Sequence, residues 1–77
     1  MNHYLVVFDR SKGEMLRLQR FSDRDDALHA RFAEERERRG EPDIEVVVLG
    51  AISGESLRRT HGRYFKDFEQ LAAGARD

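Results

Sequence analysis

The chain predicts an α+β fold built on a three-stranded sheet, from three observations. Residues 4–8, Tyr-Leu-Val-Val-Phe, and residues 44–50, Ile-Glu-Val-Val-Val-Leu-Gly, are apolar runs of strand length. A helix-length stretch lies between them, opened by Ser22 and Asp23 and closed by Gly40 and Pro42. Beyond the second run, Leu57, His61, Tyr64, Phe65, Phe68, Leu71 and Ala72 recur at helical spacing as one apolar stripe.

The first strand alternates Tyr4, Val6 and Phe8 with Leu5 and Val7, so both of its faces are apolar and it belongs inside a sheet. The polar loop 9–13 ends in Gly13, which can take the positive φ that a hairpin bulge needs. The return strand, about 14–21, alternates Leu16 and Leu18 with Arg17 and Gln19, a half-buried pattern suited to a sheet edge. A helix over about 22–39 follows, with Ser22 as N-cap and Asp23, Asp25 and Asp26 at the positive end of its dipole. Its large apolar residues are Leu28 and Phe32, with Ala27, Ala30 and Ala33 nearby. Its second half is charged all round, with favourable pairs expected from Glu34 to Arg38 and from Glu35 to Arg39, and this end is expected to project into solvent.

The strand at 44–50 is also apolar on both faces, with Glu45 the single interruption. A second helix over about 54–73 is capped by Ser53 or Ser56, and Gly62 is the position where it could kink or stop. Residues 1–73 form one domain, and 74–77 are expected to fray. A hairpin joins the first two strands and a helical crossover joins the second to the third. The expected sheet order is therefore 2-1-3, with the Tyr4 strand central and antiparallel to both neighbours, and right-handed crossing puts the first helix on one face. The second helix has three destinations open to it: the same face, the opposite face, or another subunit. The first and third leave apolar surface to be shared between copies, so a homodimer is expected.

At 77 residues, one core is barely large enough for a stable domain, and with no cysteine neither a disulfide nor a thiolate metal site can supplement it. The longest apolar runs fall far short of a membrane span or a signal-peptide core, so a cytoplasmic protein without membrane contact is expected. Although the formal charge is only -1, 38% of residues are charged, and the distinctly basic segment is 56–66.

Asp9, Ser11 and Gly13 have the spacing that starts a calcium loop, but the twelfth position is Arg20 where the loop requires Glu. Between Gly50 and Gly54 lie three residues, not four, and Glu55 stands where a phosphate-binding loop needs Lys. The histidines at 3, 29 and 61 share no ligand spacing. No metal or cofactor is therefore expected. The expected function is that of a small non-enzymatic interaction module, homodimeric and open to a further protein partner, with His61, Tyr64, Phe65, Phe68 and Leu71 as the interface. An alternative uses Arg58, Arg59, Arg63 and Lys66, a basic helix edge that could follow a phosphate backbone. The order strand, strand, helix, strand resembles that of small toxin–antitoxin partner domains, an architectural resemblance that implies an antitoxin-like regulator binding RNA or DNA. A third reading is a small enzyme with a site near His61 and Tyr64.

Overall fold

The structure, a computed structural model, describes residues 1–65. Strand β1 is Asn2–Asp9, β2 is Glu14–Phe21, helix α1 is Arg24–Glu37, β3 is Ile44–Ala51 and α2 is Gly54–Thr60, followed by a 3-10 turn at Gly62–Phe65. The sheet order is β2-β1-β3, with β1 antiparallel to both neighbours. Two apolar faces give β1 its central place, since only a central strand can bury both. Tyr4, Leu5, Val6 and Val7 are all buried.

The two faces carry different cores. Tyr4 and Val6 cluster with Ala51, Leu57, Tyr64 and Phe65, and Phe8, Met15, Val47 and Leu49 pack around that cluster, so α2 and the 3-10 turn cover this side. On the other side Val7 pairs with Arg17 and with Val46, and Arg17 reaches Glu34 of α1. Residues paired across strands point the same way, so α1 covers the Leu5 and Val7 face. Of the three destinations open to the second helix, its described part takes the opposite face of its own sheet.

Several expectations are corrected by these placements. The N-cap of α1 is Asp23, not Ser22, and its side chain accepts from the Asp25 N–H at 2.8 Å. The stripe of Leu28 and Phe32 does not form the buried face of α1: Ala27 is fully buried, Glu34 is buried, and Phe32 is 51% exposed. The small Ala27 lets the helix approach the sheet closely, and the approach turns Glu34 onto Arg17 and Arg38. The charged second half is thus anchored to β2 through Glu34 and does not merely project into solvent. Glu34 does pair with Arg38, at 2.9 Å, but Glu35 pairs backward with Arg31, at 2.7 Å, and not with Arg39. In β2 the register shifts opposite Val7 and Phe8, which makes Leu16 an extra residue; Leu16 and Leu18 are exposed while Arg17 is half-buried.

The second helix starts after Ser53, whose hydroxyl accepts from the Ser56 N–H at 3.1 Å. It ends at Thr60 and not near 73. Gly62 follows at once, and the chain tightens into the 3-10 turn. Phe68, Leu71 and Lys66, together with the frayed tail expected at 74–77, lie outside the described residues. Gly62 has a negative φ and nothing within 4 Å of an added Cβ, whereas Gly40 sits at φ +96°. Gly62→Ala should therefore leave stability unchanged or raise it by about 0.5 kcal/mol, while Gly40→Ala should lower it by about 1 kcal/mol or more. Thermal melts of the two variants check both signs.

Candidate functional site: the outer edge of the third strand

Three of the sequence-predicted residues fall in the 3-10 turn and its lead-in. His61 is the C-cap of α2 and half-buried, while Tyr64 and Phe65 are buried against the chain's own sheet. The Tyr64 ring meets Phe8 edge-on at a centroid distance of 5.3 Å, and the Arg63 guanidinium stacks 4.6 Å above it. The Tyr64 hydroxyl donates to Glu45 Oε2, and Arg63 Nη2 donates to both Glu45 oxygens at 2.7 and 2.8 Å. Burial, followed by the Glu45 carboxylate, pushes the Tyr64 hydroxyl up from its ordinary range, so it remains a protonated donor at neutral pH. This cluster pins the turn to β3. It does not pair Tyr64 with His61 as an acid and base.

The basic residues are not brought onto one helical edge. Arg58 and Arg59 are exposed in the last turn of α2, but the helix has ended before Arg63, which is committed to Glu45. The spacing that would let Arg59, Arg63 and Lys66 track a phosphate backbone therefore does not arise within the described residues.

The edges of the sheet differ from each other more than its faces do. The outer edge of β2 carries a bulge at Leu16 and the exposed polar residues Gln19 and Arg20, devices that discourage a further strand from pairing. The register of β3 on β1 runs without interruption from Ile44 to Ala51. No other described strand pairs with β3, and of its outward backbone groups the Ile44 N–H donates to the Glu41 carbonyl at 3.1 Å, so the row beyond Ile44 is the open part of the edge among the described residues. Ile44, Val46, Val47, Val48 and Leu49 are each only half-buried, and the strand's sole charge, Glu45, is neutralised by Arg63. Such an edge is long, regular and apolar on both faces.

Phe32 stands apart from that surface. At about 100° per residue it lies nearly opposite Glu34 on α1. Glu34 and Ala27 are the residues that α1 buries, so the exposed Phe32 ring faces away from the sheet.

Known protein families, curated proteins and solved structures offer no match to this chain. Its function must be argued from the site alone. Among the described residues, no group of three metal-ligating side chains converges and no helix is long and apolar enough to cross a membrane. The edge character of β3 follows from the 2-1-3 order, which is legible in the sequence. The exposure of Phe32 is not, because it depends on how Glu34 turns α1.

Proposed function

We propose that this domain is a non-enzymatic interaction module that binds by adding an extended strand to the outer edge of β3. The carrying observation is the contrast between the bulged, polar edge of β2 and the uninterrupted, apolar edge of β3, which no further described strand covers. Strand addition draws affinity from main-chain hydrogen bonds and specificity from alternate side chains, and β3 offers both a regular backbone and half-buried valines. The titratable cluster at Glu45, Arg63 and Tyr64 supports this reading over an enzymatic one, since both Glu45 oxygens, Arg63 Nη2 and the Tyr64 hydroxyl are spent on holding the turn.

The test titrates an unlabelled eight-residue peptide of alternating valine and threonine into about 1 µM fluorescently labelled protein, where weak self-association is dissociated. The thermophoretic mobility of the protein should shift saturably with wild type and with Leu18→Lys on β2, and should stay flat with Val48→Lys on β3, each variant first shown by circular dichroism to be folded. Equal binding by both variants, or none by wild type at millimolar peptide, would remove the reading.

A further inference from the structure

Resting on that reading, we infer that the strand received by β3 is the β3 of a second copy, so that two domains form one continuous six-stranded antiparallel sheet. An occupant of this edge must be extended, about eight residues long and apolar on both faces, and β3 itself has that composition on every copy. Two β3 edges brought together antiparallel about a two-fold axis also match donor to acceptor by symmetry.

Symmetry and charge restrict the register. A two-fold axis normal to the sheet keeps each face continuous, so residues that meet across the seam must point to the same face. The axis therefore passes through one residue that meets its own copy. Centring on Glu45 would oppose two carboxylates, and centring on Val46 or Leu49 would pair only five of the eight residues of β3. Centring on Val47 or Val48 pairs seven and keeps each Glu45 opposite an apolar residue, Leu49 in the first case and Ala51 in the second. Each Glu45 also brings its own Arg63, so no uncompensated charge enters the seam.

The same axis places both α1 helices on one side of the extended sheet. On that side the half-buried Val46 and Val48 of each copy meet, and on the other side Val47 and Leu49, so the seam covers apolar side chains on both faces. A strip about 27 Å long and roughly 20–25 Å deep through helix, sheet and helix amounts to on the order of 600 Å² per copy, the lower range of specific interfaces. A micromolar dimer is the expected outcome.

The chain has no native cysteine, so single cysteines report the register cleanly. Across an antiparallel pair the residue on the axis brings its two Cα atoms to about 4.5–5.5 Å, within disulfide reach, while the same pair one position away lies too far apart. Sedimentation velocity from about 1 µM to about 1 mM should show a monomer–dimer equilibrium. Under mild oxidation one of Val47→Cys and Val48→Cys should form a covalent dimer and the other should not. Amide exchange in β3 should slow as concentration rises. Val48→Lys, first shown by circular dichroism to be folded, should weaken the dimer by about tenfold.

A monomer throughout that range with fast β3 amides would overturn self-pairing while leaving the edge open to the peptide, so the broader reading would survive. A monomer whose β3 amides are protected would mean that the chain covers its own edge, and would overturn both. A dimer that crosslinks at neither position, with β3 exchange independent of concentration, would place the contact elsewhere and overturn this seam.

Discussion

Leu57→Ala is expected to remove about 2–5 kcal/mol of folding stability, the range for truncating a wholly buried leucine. Leu57 is fully buried in the cluster of Tyr4, Val6, Ala51, Tyr64 and Phe65. Its importance exceeds its size because α2 has only seven residues and cannot hold a helix on local propensity alone. Losing Leu57 therefore loosens both α2 and the turn that carries Tyr64 and Phe65. A domain of 77 residues has a total stability of roughly 4–12 kcal/mol, so the variant should be partly unfolded at 37 °C. Urea midpoints read the effect, with Ile52→Ala, at a 77% exposed position, as a control expected within about 0.5 kcal/mol of wild type. If Leu57→Ala melted with that control, the docking of α2 on the sheet would be wrong.

Glu34 should give the largest effect on the opposite face, and a pH-dependent one. Its burial against the sheet pushes the carboxyl up, but hydrogen bonds from Arg17 and Arg38 and their charges outweigh burial and hold it below its ordinary value of 4.5. A carboxylate held low when folded stabilises the fold above its unfolded value. That contribution is lost as pH falls below about 4.5, through the lower folded value. Glu34→Ala should cost about 1–2 kcal/mol at pH 7, between an exposed pair and a buried one, because the Arg17 and Arg38 side chains remain 40% and 29% exposed. Urea unfolding of wild type and Glu34→Gln at pH 7 and pH 3.5 separates the charge from the hydrogen bonds. The wild-type advantage should shrink at the lower pH, and an advantage that grew there would reverse the assignment.

The strands and their order were legible because two-faced apolar runs such as 4–8 and 44–50 have few other homes, and because a helix between parallel strands leaves the first strand only the middle place. Side-chain facing was harder to read. One inserted residue at Leu16 turned the pattern of β2 over, so the leucines expected inside are exposed and Arg17 points at α1. Likewise α1 was expected to bury Phe32 for its size, whereas Ala27 packs closest and Glu34 finds two arginines across the groove. In the second helix the stripe from Leu57 onward ran through Gly62 as though the period were unbroken. Tyr64 and Phe65 still reach the core, but from a tighter turn and not from a continuing helix.

The bulge opposite Val7 and Phe8 bears on stoichiometry as well as shape. A sheet with two receptive edges would let each newcomer offer the next site, and such a chain of additions ends only in a fibre. Here one border of the sheet is regular, and the other is interrupted at Leu16 and flanked by Gln19 and Arg20. On the proposed reading, lateral growth would terminate after a single addition, which would set a built-in limit on the size of what the domain can join.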